Sequence, residues 1–320
     1  MQIDVKNIEY VFLKKTPIAH KALKNVSVSI SQGEYIGIIG QTGSGKTTFI
    51  EHLNGLLIPS SGEIKWQFID QRKVKVKEQY YDKKHNLKTK KTKAVEEYLE
   101  TFILRNTWRK KVKKAKAIRK HIGIIFQFAE YQLFEETIEK DIAFGPRSFG
   151  ISKQEAKERA KKYLNLVGMD ESYLKKSPFE LSGGQKRRVA LAGILAMEPD
   201  VLIADEPTAG LDPAGVKEIL NIFNELHKMG KTIVIVTHDL DNVLEVTERT
   251  LIFKDGEIIK DGPTYEVLKD TAFLEANEMQ PPKLLAFVSK LEARGIEVPK
   301  VRTIDELAEF LNKRKKRGAR

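Results

Sequence analysis

The chain has 320 residues, no cysteine, a hydrophobic content of 41% and a formal net charge of +12. That length carries one large α/β domain with additions, or two domains. The missing cysteines exclude a disulfide scaffold and any thiolate metal site, and no apolar run approaches the roughly 18 residues that a membrane crossing needs.

The N-terminal Met1-Gln2-Ile3-Asp4 is not a basic-then-apolar signal segment, so a cytosolic location is the expectation. Ile3–Val5, Ile8–Phe12 and Val26–Ile30 then read as short strands, the last alternating apolar and polar residues at period two. Residues 34–39 form an apolar run that suits a buried strand, and residues 48–53 place apolar side chains at helical spacing. Between them lies Gly40-Gln41-Thr42-Gly43-Ser44-Gly45-Lys46-Thr47, which fits the phosphate-binding P-loop pattern in its strand–loop–helix setting. Its glycines let backbone N–H groups turn onto phosphate oxygens at a helix N-terminus. Lys46 is then the partner of the β- and γ-phosphates, and the Thr47 hydroxyl a ligand of Mg²⁺. A nucleoside triphosphate is the expected ligand.

Residues 65–120 interrupt this order with twenty Lys/Arg against six Asp/Glu, a local +14 that leaves −2 for the rest of the chain. The tract Lys83–Lys91 cannot build a core and is expected to be exposed or mobile. Val95, Leu99, Phe102, Ile103, Val112 and Ala115 recur at roughly helical spacing among basic residues, which predicts a basic amphipathic helix.

Globular patterning returns at Ile122. Ile122–Phe126 reads as a strand ending at Gln127, and 152–167 as a helix with Ser152 and Glu155 in a capping-box arrangement. Val201–Ala204 and Thr232–Val236 are continuous apolar runs, as in a parallel sheet covered on both faces. Asp205-Glu206 follows the first run and His238 follows the second, at strand ends where ligands of open α/β sheets bind. Asp205 can hold Mg²⁺, Glu206 can orient and deprotonate an attacking water, and His238 can touch the γ-phosphate. Gln127, also at a strand end, can place water or sense Mg²⁺. Leu181-Ser182-Gly183-Gly184-Gln185 opens another helix, with Ser182 as cap and a second anion-binding end. Residues 250–259 read as a hairpin, and Pro281-Pro282 as a boundary before two amphipathic helices at 283–294 and 303–313. The basic tail 313–317 reads as a solvated end.

The P-loop, LSGGQ, residues 202–207, Gly210-Leu211-Asp212 and Thr237-His238-Asp239 occur in the order of ABC ATPases, and the resemblance spans about residues 2–270 apart from the insert. It implies the P-loop NTPase core of that type: a mixed α/β sheet with helices on both faces, an antiparallel β subdomain and a helical signature subdomain at about 127–200. A nucleotide-binding domain would cover residues 1–280 with the basic insert at about 65–120. Residues 281–320 would be a helical extension serving dimerisation. The resemblance further implies that Gly40 to Thr48 bind ATP and that Phe12, or next Tyr10, stacks on adenine. Ser182, Gly183, Gly184, Gln185 and Asp212 would contact ATP held by another subunit.

Phe126–Phe134, Glu136-Thr137, Asp141, Phe144-Gly145-Pro146 and Pro178-Phe179-Glu180 resemble, more closely, the ATPase subunits of energy-coupling-factor (ECF) importers, in the second of their two types. That implies a peripheral ATPase on the cytoplasmic face of the cell membrane, paired with a sister ATPase. A transmembrane coupling subunit, touched by Glu130–Phe134, and a substrate-binding membrane subunit would complete the assembly. Gln41 stands where many such loops carry His, and the insert is longer and more basic than usual. Three readings of the insert follow from its charge: a solvated surface elaboration, residues 95–117 against anionic headgroups, or, in a soluble ABC ATPase acting on RNA or ribosomes, a nucleic-acid contact.

Overall fold

A computed structural model describes residues 1–81, 87–106, 112 and 114–318. Strands β1 (Gln2–Phe12), β2 (His20–Ile30), β4 (Ser61–Tyr81) and β5 (Leu87–Arg105) make one antiparallel sheet in the order β2-β1-β4-β5. Strands β3 (Tyr35–Ile39), β6 (Ile122–Ile125), β7 (Val201–Asp205), β8 (Thr232–Val236), β9 (Arg249–Lys254) and β10 (Glu257–Pro263) make the second, in the order β10-β9-β3-β8-β7-β6. There β9-β3-β8-β7-β6 run parallel, and only β10 is antiparallel. β3, β6, β7 and β8 are buried throughout, which explains their continuous apolar sequences.

Helix α1 (Lys46–Leu53) packs Phe49, Ile50 and Leu53 between the two sheets, with Ile3, Trp66 and Phe253 in the same cluster. Helix α2 (Ala115–His121) leads into β6. Helices α3 (Ile138–Ser148), α4 (Lys153–Leu166) and α5 (Gly183–Leu195) share a core that continues through Ala204 and Ile235 to α6 (Pro213–Lys228). On α4 only half of the expected box forms. Ser152 Oγ accepts from Glu155 N at 3.2 Å, while the Glu155 carboxylate turns to Arg159.

Helices α7 (Leu240–Val246), α8 (Thr264–Lys269) and α9 (Thr271–Ala276) precede the Pro281-Pro282 break, followed by α10 (Lys283–Glu292) and α11 (Ile304–Gly318). Leu284, Leu285, Val288, Val301 and Leu307 are buried with Leu244 and Leu268, so the C-terminal helices dock on α7 and α8. Arg302 clamps this contact by donating to the Leu244 carbonyl at 2.9 Å and to the Thr247 carbonyl. Among the described residues no helix is long and apolar enough to cross a membrane.

Over residues 95–105 the expected helix is not formed, and residues 107–111 and 113 of the expected span lie outside the described residues. Val95, Leu99, Phe102 and Ile103 lie on β5, paired with β4 residue for residue from Glu63–Arg105 to Tyr81–Leu87, and helix begins only at Ala115. The reason is arithmetic. Val95, Leu99 and Ile103 are four apart, a spacing that fits one helix face and one strand face equally, since four is also an even number. Pairing with β4, whose Ile64, Trp66 and Phe68 are buried, decides for the strand. Of the tract 83–91, residues 83–86 lie outside the described residues, and Lys88, Lys90 and Lys91 are exposed on β5.

His52 of α1 is fully buried, its ring edge-on to Tyr10 and its Nδ1 donating to the Thr48 carbonyl at 2.7 Å, while Nε2 has no protein partner. Burial drives its pKa from 6.5 down to about 4. The unfolded chain therefore takes up this proton below about 6.5 and the folded chain only near 4, so stability is lost as pH falls through that window. The loss reaches about 3 kcal/mol. Denaturant unfolding at neutral and mildly acid pH, run beside His52→Gln, should show a shallower pH slope in the variant; identical slopes would refute the assignment.

Candidate active site

The P-loop leaves β3 and enters α1 through three glycines of positive φ, Gly40, Gly43 and Gly45, and at two of them the space is closed as well. Gly40 has φ +145°, and a Cβ there would stand 2.2 Å from the Phe253 carbonyl oxygen; Gly45 has φ +102°, and a Cβ there would stand 2.6 Å from that of Ala22. No L side chain fits either place. The loop walls a cavity of about 400 Å³ together with Phe12, His20, Ala22, Gln127, Asp205, Glu206 and His238. Thr42, Gly43, Gly45, Lys46, Thr47 and Thr48 supply its floor, whereas Gln41 and Ser44 face a smaller neighbouring cavity of about 110 Å³. Gln41 Nε2 donates to Glu278 Oε2 at 2.8 Å, tying the loop to the turn after α9.

Strand geometry brings the carboxylates here. β3, β7 and β8 are parallel neighbours, so their C-terminal ends deliver the P-loop, Asp205-Glu206 and Thr237-His238 to one edge. Thr47 Oγ1 donates to Asp205 Oδ2 at 2.9 Å. Burial holds the Asp205 carboxyl above its ordinary range and the Glu206 charge adds to that, with Thr47 and Lys46 opposing. Lys46 is pushed below its ordinary value by burial, against the pull of Glu206 and Asp205. Its Nζ donates to the Gly40 and Gln41 carbonyls, each at 2.8 Å.

Glu206 sits at φ +48°, a costly backbone for a side chain of this size. Its N–H donates to the Val236 carbonyl at 2.8 Å. Its carboxylate accepts from Thr237 Oγ1 (3.1 Å), His238 N (3.0 Å) and His238 Nδ1 (2.7 Å). Strain and three donors together fix where this acid points.

The hydroxyl and carboxylate oxygens of Thr47 and Asp205, with Gln127 on the same wall, are hard donors of the kind Mg²⁺ takes. No cluster of three or more His, Cys, Asp or Glu able to hold a metal occurs among the described residues. The donor set therefore fits a cation that phosphate oxygens complete.

Phe12 and Tyr10 part ways: Phe12 lines the cavity, while Tyr10 packs behind it, ring edge to ring face at 4.8 Å. The signature stretch lies elsewhere. Ser182 caps α5 in a reciprocal box with Gln185, Gly183 is exposed, and none of Ser182, Gly183, Gly184, Gln185 or Asp212 lines the P-loop cavity. Asp212 caps α6 through Gly215 N at 2.8 Å and, with Gly184, edges a separate cavity of about 300 Å³.

One pair was not singled out in the sequence. Arg187 of α5 is buried, bonded to Glu130 by Nε (3.3 Å) and Nη2 (3.1 Å) and to the Ala209 carbonyl by Nη1 (2.5 Å). It joins the signature helix to the stretch after β6 and to the loop before Asp212. Glu130, expected on a partner-facing surface, turns inward instead, since a carboxylate can neutralise a buried guanidinium. Nothing in Lys186-Arg187-Arg188 marks the middle residue as the buried one.

The model of a family described as ABC transporter matches residues 23–209. The energy-coupling factor transporter ATP-binding protein EcfA2 of Mycoplasmopsis pulmonis is 60% identical over 312 residues, covering 98% of this chain and 96% of its own. The EcfA2 of Streptococcus pneumoniae serotype 2 is 42% identical, covering 98% and 100%. This chain belongs to the ABC transporter family, in its energy-coupling factor ATP-binding branch. Among solved structures, cbiO1 from Clostridium perfringens, part of the ABC transporter complex cbiONQ, is 31% identical with a TM-score of 0.63, covering 90% of this chain and 98% of its own. A dimeric post-hydrolysis state of the ATP-binding cassette MJ0796 bound to ADP and Pi is 27% identical with a TM-score of 0.62, covering 82% and 98%. The relatives do not favour the soluble RNA- or ribosome-directed alternative.

Arg187→Ala should cost about 3 kcal/mol, because it strands a buried carboxylate. Arg187→Met combined with Glu130→Leu should recover most of that loss in denaturant unfolding. Equal losses in the two proteins would show that packing, not the ion pair, is at stake.

Proposed function

We propose that the chain is the ATP-hydrolysing subunit of an energy-coupling factor importer for vitamins or other micronutrients, working at the cytoplasmic face of the cell membrane. The observation that carries this reading is the split site. The P-loop cavity gathers Phe12, Lys46, Thr47, Gln127, Asp205, Glu206 and His238, while Ser182–Gln185 stand outside it. A second ATPase subunit would close its own signature helix over this cavity and take this chain's Ser182, Gly183, Gly184, Gln185 and Asp212 over its own nucleotide.

In that reading Phe12 stacks on adenine and the N–H groups from Gly40 to Thr48 wrap the phosphates. Lys46 exchanges two carbonyl acceptors for anionic phosphate oxygens, a stronger charge-assisted bond. Thr47, Gln127 and Asp205 would hold Mg²⁺, which when bound offsets phosphate charge. Glu206, aimed by Thr237 and His238, orients the attacking water and accepts its proton; His238 lies close enough to follow the γ-phosphate. Closure on ATP and reopening after hydrolysis would move the membrane partner.

Three surfaces suit partners. Phe134 and Phe144 meet edge to face at 4.9 Å with Tyr131 84% exposed nearby in sequence, an aromatic patch for the transmembrane coupling subunit, which in turn would hold the substrate-binding subunit. Phe287 of α10 and Ile304 of α11 are exposed, an apolar face for pairing with the sister ATPase. The basic insert would lie against anionic headgroups of the same membrane.

Lys46→Ala should abolish tight ATP binding, read by equilibrium dialysis. Glu206→Gln should keep that affinity and lower turnover about 10²–10⁴-fold; an unchanged rate would remove Glu206 from its role. Pull-down of the chain from detergent-solubilised, nuclease-treated membranes should bring a sister ATPase and a multi-span membrane protein. Ribosomal proteins alone would overturn the importer reading.

A further inference from the structure

The β4–β5 ribbon leaves the body of the protein. Ile64, Trp66, Phe68 and Leu104 root it in the core, with Trp66 Nε1 donating to the Leu53 carbonyl at 2.7 Å and Phe68 against the His121 ring. Past Phe68 no described residue of either strand is buried up to the pairing of Tyr81 with Leu87. Thirteen further residues of β4 make an arm of about 40 Å. A lone two-stranded ribbon is marginal in water, and a surface covering one face would stabilise it.

Its chemistry defines that surface. Residues 72–93 contain ten Lys/Arg and two Asp/Glu. Facing residues of an antiparallel pair point the same way. One face therefore carries Ile103 opposite Lys65 and Leu99 opposite Ile69 near the root, Glu97 opposite Gln71 and then Val95 next along, and Lys75 and Lys77 opposite Lys91 further out, where basic residues outnumber this one carboxylate. Ile69, Val95 and Leu99 are each 60% or more exposed. Aliphatic side chains beside lysines suit an interface of acyl chains and phosphates. A single-stranded nucleic acid would ask for aromatic planes on which bases stack, and this face offers none among its described residues between Lys65 and Gln79. Beside the ribbon, Lys116 of α2 lies 5.9 Å from the Phe149 ring at the end of α3.

We propose that the β4–β5 ribbon is a lysine arm that lies on an anionic lipid bilayer, with Ile69, Val95, Leu99 and Ile103 dipping into the headgroup layer. This rests on the membrane-transporter reading for the presence of a bilayer. It differs from the headgroup contact expected of a helix at 95–117, because the contact is a strand face and reaches residues 65–79 as well.

The test is sedimentation of the purified full chain with phosphatidylcholine vesicles, containing or lacking phosphatidylglycerol. The chain should partition onto the anionic vesicles only, and less as salt rises. The triple variant Lys75→Glu, Lys77→Glu, Lys91→Glu, all on this face, should lose binding at least about tenfold, and Ile69→Ser with Leu99→Ser should lose it severalfold. Both should keep the wild-type melting curve and ATP affinity. Equal partitioning onto the two vesicle types, salt-independent binding, or unaltered binding of the triple variant would overturn the proposal. So would a single-stranded RNA that displaces the vesicles at equal phosphate concentration, which would assign the arm to nucleic acid. Lys46→Ala read in parallel separates the two ideas: it should lose ATP and still bind vesicles, so failure of the nucleotide site leaves the arm's result standing.

Discussion

The parallel alignment of β3, β7 and β8 is the constraint on which the site depends. Each strand is five residues long and fully buried, and each ends at the same sheet edge. Residues about 160 and 190 positions beyond the P-loop are thereby set against it, close enough for Thr47 to bond Asp205 and for Glu206 to take its proton donors from Thr237 and His238. Helix packing on both faces keeps these strands dry, and dry strands leave their polar terminal residues nowhere to point except the cavity. Were one strand reversed, its acidic end would lie at the opposite edge.

That arrangement concentrates charge at a cost. Asp205 is buried with its carboxyl held above the usual range, and Lys46 is half-buried and held below its own. The two offset each other only in part, and Glu206 adds a strained backbone. A site tuned this way is short of positive charge beside Asp205 and short of an anion beside Lys46. A magnesium–triphosphate unit would supply both, so the electrostatics of the cavity and of the proposed ligand are complementary.

The signature helix is held to the same frame by Arg187, through Glu130 after β6 and the Ala209 carbonyl after β7. Movement of the stretch that carries the exposed aromatic patch is therefore linked mechanically to the helix end that would close on a sister's nucleotide. The C-terminal helices join the frame from the other side, packed on α7 and α8 and linked to the P-loop by the Gln41–Glu278 bond. Nucleotide cavity, exposed aromatic patch and C-terminal helices are thus connected by packed side chains and by hydrogen bonds between loops.

Local sequence determined the pieces whose physics is local. Gly40 and Gly45 stand where no side chain fits, Ser182 and Gln185 cap a helix three residues apart, and unbroken apolar runs can only be strands covered on both faces. The P-loop pattern and the strand-end positions named Lys46, Thr47, Gln127, Asp205, Glu206 and His238, family resemblance added Phe12, and the structure places all seven around one cavity. Tertiary structure decided what periodicity left open. Val95, Leu99 and Ile103, four residues apart, fit helix and strand alike, and only the partner strand β4 with its buried Trp66 and Phe68 makes them a ribbon. The inward turn of Glu130 and the choice of Arg187 among neighbouring basic residues were equally beyond sequence, because burial of a charge is fixed by the carboxylate that folding brings to it from elsewhere in the chain.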